Sequence, residues 1–157
     1  MAFFVSTFAN KLDSKGRVSV PVSFRSALAG QSFSGIVAYR SIKFDALEAG
    51  GINSLEELSA RLDALPEFSE ERDALASILP DCQLLPFDGE GRIILPRLLL
   101  DHAGITTTAA FVGYGRTFQI WEPERFNRHQ EEMRQHARQR GFTLPPRNNA
   151  PGSGVRP

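Results

Sequence analysis

Cysteine is almost missing from this chain, as are net charge and any long apolar run, and each shortage removes a class of answer. A single cysteine, Cys82, excludes an intrachain disulfide and offers no zinc cluster, so its expected role is packing. No apolar run approaches the roughly 18–20 residues that span a bilayer. The opening residues, Met1-Ala2-Phe3-Phe4-Val5-Ser6, have neither the basic start nor the long apolar stretch of a secretion signal, which makes a reducing cytoplasm the expected compartment. Catalytic signals are just as sparse. His129 and His136 stand seven apart on one expected helix with no third ligand, and His102 falls near a helix end, where it complements the helix dipole. Gly113-x-Gly115 lacks the third glycine and the following helix of a phosphate-cradling loop. No nucleophile, base and oxyanion site can be assembled from spacing, so no enzyme activity, metal or cofactor is expected.

The charge balance of zero hides a division along the chain. Residues 1–25 hold Lys11, Lys15, Arg17 and Arg25 against Asp13 alone, and residues 122–157 hold seven arginines against four glutamates. Each end therefore carries +3 and the middle −6. A pI near 6.8 argues against a nucleic-acid binder judged on bulk charge, but the footprint that matters is local.

What the sequence does have is 157 residues, a hydrophobic fraction of 41% and twelve phenylalanines, enough for one ordinary domain or two small fused ones with a real core. It also repeats itself. Asp13-Ser14-Lys15-Gly16-Arg17-Val18-Ser19-Val20-Pro21 recurs as Asp88-Gly89-Glu90-Gly91-Arg92-Ile93-Ile94-Leu95-Pro96, and both read Asp-x-x-Gly-Arg-x-x-x-Pro. The offset of 75 residues also places Tyr39 on Tyr114. A period this long, present twice, does not suit a solenoid and fits internal pseudo-two-fold symmetry.

Each residue of the motif has a physical reading. The Asp13 or Asp88 carboxylate accepts backbone N–H groups just downstream in an Asx-type turn, and Gly16 or Gly91 supplies positive φ. In the strand that follows, Val18 and Val20 (Ile93 and Leu95) face one side, and Arg17 and Ser19 (Arg92 and Ile94) the other. Pro21 and Pro96 suit a helix start, so helices are expected over about Pro21–Ala29 and Pro96–Ala103, stopped by Gly30 and Gly104.

Around the motif, residues 3–12 read as extended, and Ile36–Tyr39 and Ile42–Phe44 as a hairpin. Ser54 and Glu57 form an expected capping box for a helix carrying Leu55, Leu58, Leu62 and Leu65, which Pro66 ends. Ser69 starts a second helix that stops near Pro80. This acidic pair is expected to bury its leucines and solvate its charges. Strands follow at Cys82–Phe87, Arg92–Leu95, Ala109–Tyr114 and Thr117–Trp121, then a helix over Pro123–Arg140. From Gly141 the proline- and glycine-rich composition predicts a disordered tail.

Lys11, Lys15 and Arg17 cluster around the first turn, and Arg25 lies on the helix after it. Guanidinium groups bind guanine O6 and N7 bidentately, and lysine suits phosphate. Equally, each motif arginine can simply pair with a neighbouring carboxylate. Residue physics leaves these two readings level.

The doubled motif, with its first copy close to the amino terminus, closely resembles the MraZ family of bacterial transcriptional regulators over roughly residues 3–135. The resemblance implies an α+β fold of two tandem SpoVT-AbrB modules, of the swapped-hairpin, AbrB-like kind, joined into a pseudo-two-fold β-barrel. On that reading the modules occupy residues 7–54 and 82–125, with the helical pair at 55–81, a C-terminal helix at 126–140 and the tail at 141–157. It further implies a nucleoid-associated DNA-binding protein that assembles into rings and controls the division and cell-wall gene cluster encoding it, through repeated DNA boxes. The family motif lands on Asp13, Lys15, Gly16, Arg17 and Pro21, and again on Asp88, Gly91, Arg92 and Pro96. The expected DNA-binding set is Lys11, Lys15, Arg17, Arg25 and Arg92. Glu90 departs from the pattern by standing where the first copy has Lys15, so the second module is expected to contribute less to DNA and more to folding and subunit contacts. The rival expectation is an oligomeric protein-interaction scaffold that docks through the acidic helices and does not touch DNA.

Overall fold

The computed structural model describes residues 3–147, in which the chain up to Phe126 forms one compact unit and the chain from Asn127 another. The first copy supplies β1 (Thr7–Lys11), β2 (Arg17–Ser19), α1 (Val22–Leu28), β3 (Gly35–Arg40) and β4 (Leu47–Gly50). Three helices follow, α2 (Ile52–Asp63), α3 (Glu70–Ala76) and α4 (Ile78–Asp81). The second copy repeats the first as β5 (Gln83–Pro86), β6 (Arg92–Ile94), α5 (Arg97–Ala103), β7 (Thr108–Gly113) and β8 (Phe118–Trp121), and α6 (Pro123–Arg140) ends the sequence of elements.

The strands make an α+β, antiparallel arrangement in which the copies exchange partners. Six strands lie in the order β1-β7-β8-β4-β3-β5, and β2 pairs with β6 in a separate ribbon. The first strand of each copy is therefore hydrogen-bonded to the third strand of the other, and the two fourth strands meet at the centre. That order is the same from either end once the copies are interchanged, so a pseudo-two-fold axis passes between β4 and β8. The expected closed barrel does not form among the described residues. β1 and β5 sit at opposite edges of the sheet, because β2 and β6 leave it after their turns and pair with each other instead.

Register refines the repeat. Phe8 faces Phe111, and Gln83 faces Ala38, so first-strand residues 75 apart meet third-strand residues only 73 apart. The link between α5 and β7 is two residues shorter than its counterpart between α1 and β3. Tyr39 is thus matched by Val112, and the alignment of Tyr39 with Tyr114 at a constant offset fails.

Alternation along the short strands sends Val18, Val20, Ile93 and Leu95 inward, all at 2% exposure or less. They meet a phenylalanine cluster in which the ring of Phe24, on α1, lies 5.1 Å from Phe4, 4.9 Å from Phe118 and 6.5 Å from Phe111. Rings from both copies thus fill one core, and burial of this kind is worth roughly 1.5–3 kcal/mol per large side chain. A second cluster, Ala46, Ala110, Val112, Trp121 and Phe126, holds the start of α6. Beneath it a polar relay is closed: Trp121 Nε1 donates to Gln119, Gln119 to Glu48, and the Ser41 hydroxyl to the other oxygen of Glu48.

Local expectations fail in identifiable places. The strand expected at Ile42–Phe44 lies at Leu47–Gly50, because Ser41 Oγ accepts the N–H groups of Lys43 and Phe44 and the Ser41 N–H reaches the Ala46 carbonyl, which makes residues 41–46 a loop. Helix α2 begins two residues before the expected capping box. Gly51 is its N-cap, and the Ser54 hydroxyl donates to the Gly51 carbonyl instead of capping. The second acidic helix is two, broken at Ser77, with Pro80 accommodated in the first turn of α4. Ser69 caps α3 as expected, accepting from the Arg72 N–H at 3.1 Å. Arg40 on β3 ties α4 to the sheet through Asp81. Residues 142–147 form no helix or strand, and the rest of the expected tail lies outside the described residues.

The turn glycines give a direct check. Gly91 has φ +76°, and a Cβ there would come within 2.6 Å of the Arg25 guanidinium, whereas a Cβ at Gly89 meets nothing within 4 Å. Gly91→Ala should cost at least about 1 kcal/mol in urea unfolding, and Gly89→Ala should stay within about 0.5 kcal/mol of wild type.

Candidate functional site

The two turns are built from the same hydrogen bonds. In the first, the Asp13 N–H donates to the Arg17 carbonyl (2.9 Å) and the Gly16 N–H to the Asp13 carbonyl (3.0 Å). Oδ1 of Asp13 accepts the backbone N–H groups of Lys15 and Arg17, both at 2.9 Å, and Oδ2 accepts from Arg17 Nε at 2.6 Å. In the second, Asp88 makes each of these contacts to Glu90, Gly91 and Arg92 at 2.8 to 3.1 Å. One carboxylate thus closes the backbone reversal and also orients the arginine beside it. Between the turns the contacts are reciprocal: the Val20 N–H donates to the Gly91 carbonyl at 3.1 Å and the Leu95 N–H to the Gly16 carbonyl at 3.0 Å.

The β2–β6 ribbon that results has one buried and one outward face. Val18 lies opposite Ile93 and both are buried. Arg17 lies opposite Ile94, and Ser19 opposite Arg92, so these four share the outward face with the arginines on its diagonal. Side-chain exposures of 33% for Arg17 and 27% for Arg92 leave both partly accessible despite their ion pairs. The pairing of the motif arginine with a neighbouring carboxylate is thus present: the Arg17 hydrogen bonds to Asp13 come from Nε and the backbone, and the ribbon turns the side chain outward.

Chemically the two ends of the ribbon differ. Lys15 is exposed in the first turn, and Arg97, at the start of α5, lines the same groove of about 560 Å³ as Lys15, Gly16, Ile94 and Asp101. In the second turn Glu90 takes the place of Lys15 and binds Arg92 Nη2 at 2.6 Å, so Arg92 is shared by two carboxylates. Lys11 is exposed at the end of β1, opposite Thr108. Arg25 does not join the first turn. Its Nε donates to the Val20 carbonyl at 3.0 Å and its guanidinium covers Gly91 in the second turn. Arg97 was not singled out from the sequence, because only the pairing of β2 with β6 brings the start of α5 to the first turn. Asn10 was also missed; its Nδ2 donates to the Ser19 carbonyl at 2.8 Å and steadies the ribbon against β1. Of the other candidates, His102 Nε2 lies 3.1 Å from the Phe44 carbonyl, and Cys82 Sγ donates to the Ile78 carbonyl at 3.3 Å.

Comparison with known proteins places this geometry in context. A family model described as "MraZ protein, putative antitoxin-like" matches residues 81–143. The chain is 43% identical over 145 residues to the transcriptional regulator MraZ of Rickettsia akari (strain Hartford), a match that covers 92% of this chain and 97% of the relative. It is 42% identical over 145 residues to the protein of the same name from Rickettsia felis (strain ATCC VR-1525 / URRWXCal2), with the same coverage. The counterpart from Rickettsia bellii (strain OSU 85-389) is 43% identical over 146 residues, again over 92% of this chain and 97% of the relative.

The turns make the fold acid-sensitive in a defined direction. Asp13 and Asp88 are held below the ordinary 3.8, chiefly by the backbone N–H groups of Arg17 and Arg92 respectively. A carboxyl whose value is depressed on folding contributes stability above its unfolded value and loses it as the pH falls through the folded one. Stability should therefore drop as pH falls below about 4. Urea unfolding across pH 2–6 should show a flatter acid limb for the Asp13→Asn, Asp88→Asn double variant; an unchanged limb would place the acid sensitivity elsewhere.

Proposed function

The chain belongs to the MraZ family of transcriptional regulators, and from that premise we propose that it binds double-stranded DNA through the outward face of the β2–β6 ribbon. The observation that carries the reading is that Arg17 and Arg92 lie on one exposed face, with Lys15 and Arg97 gathered at the Arg17 end. A two-stranded ribbon fits the major groove, where arginine reads guanine O6 and N7 bidentately. Asp13 holds the Arg17 Nε, so the side chain meets DNA with less rotamer freedom to lose. Lys11 and Lys15 bind phosphate, Arg25 supports the second turn, and Arg92, shared between Asp88 and Glu90, contributes less than Arg17.

In this proposal the fold comprises two tandem SpoVT-AbrB modules of the swapped-hairpin kind at residues 7–54 and 82–125, with the helices of 55–81 between them and the helix of 126–140 after them. The exchange of first strands between the copies supports it. The protein is a non-catalytic, cytoplasmic, nucleoid-associated regulator of the division and cell-wall gene cluster that encodes it, including its own promoter. One turn with few cations binds weakly. A ring of subunits facing repeated DNA boxes raises avidity by about 10²–10⁴ when several turns engage together, which is how a chain of zero net charge holds a polyanion.

The scaffold reading retains one observation, Phe68, which is 90% exposed at the foot of the acidic helices. A mobility-shift titration on DNA upstream of the gene separates the two. The wild type should bind with strong salt dependence, Lys15→Ala should lower the salt slope by about 1, and Arg17→Ala should abolish the shift while circular dichroism and oligomer size stay unchanged. An Arg17→Ala chain that unfolds would make Arg17 structural, and a wild type that binds no DNA would leave the scaffold.

A further inference from the structure

Ile94 occupies an unusual place for a large aliphatic side chain. It is 57% exposed, and it stands directly across the ribbon from Arg17 on the face that carries both motif arginines. Its counterpart in the first copy is Ser19, so the one internal difference between the two strands on this face is an apolar group at the Arg17 end and a hydroxyl at the Arg92 end. Ile94 is not needed by the core, since the buried side of the same strand is supplied by Ile93 and Leu95. It also borders the groove that Lys15 and Arg97 line together with Asp13 and Asp101, so cationic side chains lie beside it.

We propose that Ile94 is a specificity-determining residue that packs on the C5-methyl group of a thymine next to the guanine read by Arg17. This rests on the reading of the ribbon as the DNA-binding face. The argument is one of chemical complement. When the ribbon enters the major groove, residues directly opposite each other on its outer face reach neighbouring base edges. Every base edge there presents hydrogen-bonding atoms, and only thymine adds an apolar group. An aliphatic side chain pressed on a guanine, adenine or cytosine edge strips water from polar atoms and returns no hydrogen bond. Against a thymine methyl it removes apolar surface from water on both sides. At the other end of the ribbon Ser19 offers no such surface, so the two halves of a symmetric scaffold read different base pairs.

The test removes the methyl from DNA and its partner from the protein. Mobility-shift affinities are measured for wild type, Ile94→Ala and Ile94→Val on the upstream fragment, with each thymine of the protected region replaced in turn by deoxyuridine, and with flanking thymines replaced as a control. Loss of one methyl contact should weaken wild-type binding about fourfold at a single position per binding site. Ile94→Ala should bind the thymine probe about as weakly and be indifferent to deoxyuridine at that position, with Ile94→Val between the two. Because Ile94 is exposed, circular dichroism and unfolding midpoint should not move. Equal affinity for thymine and deoxyuridine probes at every position, with the Arg17 dependence and salt slope intact, would overturn the role of Ile94 and leave the DNA-binding reading standing. Absence of any shift with the wild type would overturn both.

Discussion

Everything about this fold depends on a carboxylate closing its own turn, done twice. Asp13 and Asp88 each gather two backbone N–H groups on one oxygen and an arginine Nε on the other, so a reversal of four residues is held by contacts within itself. Turns closed in this way present the Gly16 and Gly91 carbonyls to Leu95 and Val20 of the opposite copy. Those two reciprocal hydrogen bonds extend a ribbon of three residues a side, which would be far too short to hold alone. The core finishes the task. Phe4 and Phe24 from the first copy pack with Phe111 and Phe118 from the second, so neither copy has a complete interior without the other.

On this symmetric frame the chemistry is deliberately uneven. The backbone of the second turn reproduces that of the first, yet Glu90 replaces Lys15, Ile94 replaces Ser19, and Arg97 stands where the first copy has Val22. The effect is a ribbon with a cationic end and a compensated end. A repeat that has kept its hydrogen-bond geometry while changing its outward side chains separates two sets of groups: those that point into the turn or the core hold the fold, and those that do not are free to differ between the copies.

Much of the site could be read from the order of residues. The turn, its positive-φ glycine, the outward arginine and the inward aliphatic pairs all follow from interactions within about eight residues, where spacing and stereochemistry are decisive. Boundaries set by competition were less legible. Asp45-Ala46-Leu47-Glu48-Ala49 has the composition of a helix, yet Leu47–Gly50 is a strand because β8 and β3 flank it on both sides and Ser41 bends the chain beforehand. Ser54 looks like a helix cap and instead donates to the Gly51 carbonyl inside the first turn, because the helix starts earlier with Gly51 as its N-cap.

The sequence by itself determined that a small unit had been used twice, that each unit would open with a tight polar turn bearing an arginine, and that the buried and outward sides of β2 and β6 would alternate. These are local matters, governed by backbone conformation and a period of two. Only the tertiary structure decided which copy's strand would pair with which, that the sheet would stay open, that Arg25 would cross to cover Gly91, and that Arg97 and Ile94 would come to the first turn. Each of those joins residues 45 or more positions apart or depends on such a pairing, and no local preference encodes a partner at that distance: the choice is made by the shared core, which closes only when the two copies exchange strands.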